Sequence, residues 1–85
     1  MPKTIFEGAH TALVEIMIGA RKQSGLTQAE LGERVGKDQT FISLIERSQR
    51  RIDVLEFIAL ARAMNHRPEE LFAAFLAQNP GKITI

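Results

Sequence analysis

An all-α fold, a compact bundle of five helices, follows from three features of this 85-residue sequence. Its sustained apolar patterns recur at three- and four-residue spacing, the period of a helix buried on one face. Helix-opening signals stand ahead of those patterns: Thr4 with Glu7 and Thr27 with Glu30 have the T-x-x-E spacing of a capping box, and Asp53 with Glu56 marks a further start. Residues tolerant of the left-handed conformation, Gly25, Gly36 and Asn65, stand where the patterns stop.

Taken in order, the first helix begins near Thr4 or Phe6 and ends at Gly25, with Ala9, Leu13, Ile16, Met17 and Ala20 on its apolar face. The second runs from about Gln28 to Val35, capped by the Thr27 hydroxyl, with Leu31 and Val35 as its buried stripe and Gly36 as its stop. Gly32 lies inside it, where glycine costs about 1 kcal/mol against alanine, so a small residue is useful there only if another helix crosses very close. Asp38 caps the third helix, about Gln39 to Arg47, which buries Ile42 and Ile45. Arg50, Arg51 and Ile52 form a connecting loop. The fourth helix starts at Asp53–Glu56 and carries Phe57, Leu60, Ala61 and Met64 as its core stripe, widened by Val54 and Ile58, with Asn65 closing it. Pro68 suits the first position of the fifth helix, where Glu69 and Glu70 complement the positive helix end. Leu71, Phe72, Phe75 and Leu76 are its apolar residues, and Asn79-Pro80-Gly81 stops it. Residues 1–80 then make one domain and residues 81–85 a short tail, whose Ile83-Thr84-Ile85 alternates but is too short to define a strand.

Composition narrows the function. The chain has no cysteine, so it has neither a disulfide framework nor a cysteine-based zinc site, and His10 and His66 are far apart in sequence; no metal and no cofactor are expected. No apolar run approaches the ~20 residues that span a membrane. The N-terminal MPKTIFEGAH lacks a secretory apolar region, so a soluble cytoplasmic protein is expected. The serines have no plausible histidine partner and there is no glycine-rich phosphate loop, which argues against an enzyme. Net charge is only +1, but Arg34, Lys37, Arg47, Arg50 and Arg51 gather around the third helix against Asp38 and Glu46.

The stretch TQAELGERVGKDQTFISLIE, Thr27 to Glu46, reads as two short helices around a glycine turn, the geometry that sets a helix into the DNA major groove. Arg21 through Met64 resembles the phage repressor and Cro-like (XRE-type) DNA-binding domains. The resemblance rests on Gly25-Leu26-Thr27-Gln28, Leu31, Gly32, Gly36, Gln39, Ile42-Ser43, Ile45-Glu46-Arg47 and Leu60-Ala61-Arg62-Ala63-Met64, in that order and spacing. It implies a bundle of the lambda-repressor-like type, with the helix-turn-helix formed by the second and third helices. Gly32 stands where alanine is commoner in that family, Ser48 where glycine usually follows the second helix of the motif, and Leu44 where many members carry a polar or basic residue.

If the third helix enters the groove by its N-terminal end, Gln39, Thr40 and Ser43 become the base-reading candidates, and glutamine suits the N6–N7 edge of adenine. The resemblance implies that Gln28 bonds a backbone phosphate, and Lys37, Arg47, Arg50 and Arg51 are further phosphate candidates. It also implies a structural pair between Arg21 and Glu46. Phe41 is expected to pack over the fourth helix, with a thymine methyl as its alternative contact; for Leu44 a thymine methyl, the fourth helix and a partner surface stay open.

The function expected is that of a sequence-specific double-stranded DNA-binding regulator, a homodimeric repressor on a palindromic operator, controlled by its concentration, a partner or turnover. The alternative is a DNA-binding antitoxin or a protein-binding adaptor of the same fold. Phe75, Leu76 and Ile58 are the dimer-interface candidates, on the expectation that Leu71 and Phe72 complete the core of one chain.

Overall fold

The computed structural model describes residues 8–83. Five helices account for the regular structure of those residues: α1 (Ala9–Gln23), α2 (Gln28–Arg34), α3 (Gln39–Glu46), α4 (Val54–Ala63) and α5 (Pro68–Gln78). The Thr4–Glu7 box lies outside the described residues. Helix α1 opens at Ala9 behind Gly8, whose φ of 70° is left-handed, so its start falls later than the expected Thr4 or Phe6.

Local chemistry sets the middle of the chain. Thr27 accepts from the Glu30 N–H at 3.0 Å while Glu30 accepts from the Thr27 N–H at 2.9 Å, which closes the capping box of α2. Asp38 accepts from the Phe41 N–H at 2.9 Å and caps α3. Asp53 and Glu56 form the same reciprocal box at α4, at 2.7 and 3.0 Å. Between α2 and α3, Gly36 turns at φ 74° and the Lys37 N–H donates to the Gly32 carbonyl at 2.8 Å. What approaches Gly32 is the chain entering α3: a Cβ there would stand 2.6 Å from the Asp38 carbonyl oxygen. Arg34 reaches from α2 to the Ala63 carbonyl at 2.8 Å, capping the last turn of α4.

The core gathers Val14, Met17 and Ala20 of α1, Leu31 of α2, Ile42 and Ile45 of α3, Phe57, Leu60 and Ala61 of α4, Met64 just beyond it, and Leu71 of α5. Val14 lies deeper than Ala9 and Leu13, so the buried stripe of α1 is rotated slightly from the expected one.

Helix α5 corrects the expectation for its aromatics. Leu71 and Phe75, four residues apart, share the buried stripe, whereas Phe72 and Leu76 share the next one round and are about half exposed, at 50% and 48%. Phe75 is therefore a residue of the chain's own interior and Phe72 is the outward ring. Phe72 and Phe57 meet edge to face at a centroid distance of 6.3 Å. Ile58, also expected at an interface, is half-buried and packs against the core. Val54, expected to widen the core stripe of α4, is 73% exposed at its first turn.

Candidate nucleic-acid interface

Ile42 and Ile45 point α3 into the core, which leaves the opposite face of that helix to Gln39, Thr40 and Ser43, at spacings that share one side of a helix. Gln39 and Thr40 are exposed and Ser43 is half-buried. Arg47, one residue past the helix, is exposed, and its Nε donates to the Ser43 carbonyl at 3.4 Å.

Behind that face lies a polar chain that crosses three helices. Arg21 donates from Nε to Glu46 Oε2 at 2.6 Å and from Nη2 to Glu46 Oε1 at 3.0 Å, a two-point match of guanidinium to carboxylate. Both side chains are largely withdrawn from water, at 13% and 9% exposure. The remaining Arg21 Nη1 donates to the Leu26 carbonyl at 2.9 Å, tying the end of α1 to the approach to α2. Gln28 Nε2 donates to Glu46 Oε1 at 2.9 Å, and Gln39 Nε2 donates to Gln28 Oε1 at 3.3 Å. The structure thus brings together Arg21, Glu46, Gln28 and Gln39. The first two were legible as a pair; their extension through Gln28 to Gln39 was not.

The basic residues divide. Lys37 and Arg47 are exposed, with the Lys37 ammonium over the Phe41 ring at 5.4 Å. Arg51 is exposed in the loop. Arg50, a phosphate candidate, is engaged within the chain: its two Nη atoms each donate to Glu56 at 2.8 Å, its Nη1 also bonds the Arg51 carbonyl at 2.8 Å, and its guanidinium covers Phe41 at 4.7 Å. Glu56 already served the α4 cap, and its double duty hid the Arg50 contact from sequence reading. The Arg50 bonds, more than any other contact, hold the Glu56 carboxyl below the usual carboxylate range. Phe41 packs against the core and shares a small cleft with Val35, Ala59 and Leu60, as expected of a ring over α4. Leu44 is half-buried.

His10 is a contact the sequence did not reveal. Its Nε2 accepts from the Ile52 N–H at 3.1 Å, which ties the first turns of α1 to the loop between α3 and α4. Burial, and after it the positive charge of Arg51, lowers its pKa.

On the far side of α4 an apolar groove of about 350 Å³ is lined by Leu13, Val54, Phe57, Ile58, Phe72 and Phe75, among others. Val54, Leu55, Phe72 and Leu76 are exposed on α4 and α5. No helix among the described residues is long and apolar enough to cross a membrane.

A helix-turn-helix family model matches residues 19–72, which contain the whole polar chain. No curated protein matches the sequence. Among solved structures, an XRE-family like protein from Pseudomonas syringae pv. tomato str. DC3000 is 36% identical, with a TM-score of 0.80 over 85% of this chain and 88% of that one. The restriction-modification controller protein C.AhdI from Aeromonas hydrophila is 28% identical, with a TM-score of 0.68 over 74% of this chain and 96% of its own. The clp gene regulator ClgR from C. glutamicum shares the fold at 16% identity, with a TM-score of 0.75 over 87% of this chain and 96% of its own.

Proposed function

Because this chain belongs to the XRE-type helix-turn-helix family and is a DNA-binding transcriptional regulator, we propose that it is a homodimeric repressor that occupies a palindromic operator. The observation that carries this reading is the outward face of α3, where exposed Gln39 and Thr40 stand with Ser43 while Gln28 holds Gln39 from behind. Gln39 reads a base edge, Thr40 and Ser43 read or support its neighbours, and Gln28, Lys37, Arg47 and Arg51 meet the phosphates. Its place is with the DNA, in the cytoplasm or nucleoid.

One such domain reads only a half-site, so a two-fold dimer over half-sites about 34 Å apart doubles the readout. Phe72 and Leu76, with Val54 and Leu55, supply an apolar surface beside an open groove, the kind of self-complementary patch that a two-fold axis buries. In this reading Phe72 takes the place expected for Phe75. Selection of bound duplexes from random DNA tests the proposal. An enriched inverted repeat with half-sites one helical turn apart is expected; an asymmetric motif, or none, overturns it.

The same exposed apolar face supports a second reading, an antitoxin or adaptor whose α4–α5 surface binds a foreign chain. Sedimentation of the purified protein separates the two: a dimer without any partner favours the repressor, and a monomer favours the second reading.

A further inference from the structure

Resting on that DNA-reading assignment, we propose that Glu46, which is too far inside the protein to meet a base, sets which base Gln39 accepts. It does so by fixing the orientation of two side-chain amides in series.

A carboxylate only accepts hydrogen bonds. Arg21 holds the Glu46 carboxylate in place through two bonds, and Oε1, which takes the Nη2 bond, also accepts from Gln28 at 2.9 Å. If the Gln28 amide turned by half a revolution, its oxygen would face that carboxylate oxygen at the same separation, acceptor against acceptor. With Glu46 only 9% exposed, little water is at hand to relieve the clash. Gln28 must therefore point Nε2 inward and Oε1 toward α3. That oxygen in turn accepts only, so Gln39 must offer it Nε2, as it does at 3.3 Å.

What remains free on Gln39 is one acceptor, Oε1, and one N–H, in a fixed order. Adenine offers a matching N6 donor and N7 acceptor in the major groove; guanine offers two acceptors, O6 and N7, and sets its O6 against Oε1. The polarity begins at a buried ion pair and is passed outward through Gln28 to the exposed amide. Glu46 is thus a positioning residue for specificity.

Duplex selection on the wild type, Glu46→Gln, and Gln28→Glu with Glu46→Gln tests this. In the single variant an oxygen at the Oε2 position keeps the shorter of the two Arg21 bonds, while the NH2 at the Oε1 position gives up the Nη2 bond and turns to Gln28, which reverses both downstream amides. Preference at the one base pair read by Gln39 should fall about tenfold, with the other positions retained. In the double variant the amide at 46 donates to a carboxylate at 28, which again accepts from Gln39. Preference at that base pair should return, although affinity for every sequence falls because a carboxylate now faces the phosphates. Unchanged preference in Glu46→Gln, or an equal loss at every position, overturns the proposal, since the latter is what a merely structural residue would give. If the wild type selects no motif, the DNA-reading assignment itself fails. Should Glu46→Gln not fold, side-chain amide exchange in the wild type decides. Gln28 protons protected relative to those of exposed Gln78 support the relay, and equal exchange overturns it.

Discussion

The two halves of this small bundle are specified in different ways. From Thr27 to Glu46 the chain is governed by short-range polar devices: a reciprocal cap, a left-handed glycine, an aspartate cap, and an ion pair that closes the unit against α1. From Val54 to Gln78 it is governed by which apolar side chains find room, and there the helices carry more hydrophobic residues than one face holds: Val54, Leu55, Phe72 and Leu76 remain outside. The first kind of specification is directional and leaves a polar face free to recognise DNA. The second is non-directional and leaves an apolar face free for association. Function on each side is what the folding devices of that side do not consume.

The polar half should depend on its ion pair. Truncating Glu46 to alanine strands the Arg21 guanidinium in a site that is 13% exposed, and the loss should reach about 3–5 kcal/mol. A double-mutant cycle with Arg21→Met should recover much of that loss, because the double variant buries no lone charge. Additive losses in denaturant unfolding would mean that the two residues act independently.

In the apolar half the corresponding contrast is between two rings three residues apart. Phe75→Ala should cost about 3–5 kcal/mol, the usual range for an interior phenylalanine. Phe72→Asp should cost far less in monomer stability yet abolish the proposed dimer. The assignment of inside and outside falls if Phe75 is the ring whose loss dissolves the dimer while the fold stays intact.

These rings also show where reading the sequence stopped. Caps, stops and the Arg21–Glu46 pair were legible because each rests on a fixed offset or on residues matched to a known family. The choice between Phe72 and Phe75 was not, because four apolar residues at 71, 72, 75 and 76 offer two adjacent stripes of equal spacing. Only the position of Phe57 and α1 decides between them. Likewise the side-chain contacts Gln28–Glu46 and His10–Ile52 span 18 and 42 residues and carry no local signature. The Arg50–Glu56 pair was hidden for the related reason that a basic loop residue near a recognition helix suggests a phosphate contact and gives no sign of a carboxylate partner.

Smaller changes sharpen the picture of the turn. Gly32→Ala gains helix propensity but drives a methyl to within 2.6 Å of the Asp38 carbonyl, and backbone yields less readily than a side chain. The clash should win, with a net loss of about 1–2 kcal/mol visible as a lower Tm. A rise in Tm would show that the entry to α3 can shift. At the other end of α3, Ser48 is buried at φ 57°, where glycine pays no Cβ penalty. Ser48→Gly should stabilise by about 0.5 kcal/mol after the added freedom of the unfolded chain is subtracted, and an unchanged or lower midpoint would contradict this.

The smallest effect expected is a pH dependence that joins the two halves at the α3–α4 loop. His10 accepts the Ile52 N–H, and burial with the Arg51 charge depresses its pKa below the usual 6.5. Above that value the imidazole is neutral in folded and unfolded chains alike, and its contribution to stability is fully present. As the pH falls through 6.5, the unfolded chain takes up a proton that the folded chain resists, so stability declines until the folded pKa is passed. Glu30, Glu56 and Glu69 also have depressed pKa values, but their losses begin only near 4.5, which leaves the His10 window separate. His10→Gln keeps an acceptor for Ile52 and does not titrate. Between about pH 8 and about pH 5.5 the wild-type Tm should therefore fall more steeply than that of His10→Gln. Parallel curves would mean that the histidine takes up its proton equally well in the folded chain, and that the tie between α1 and the loop does not depend on its neutral form.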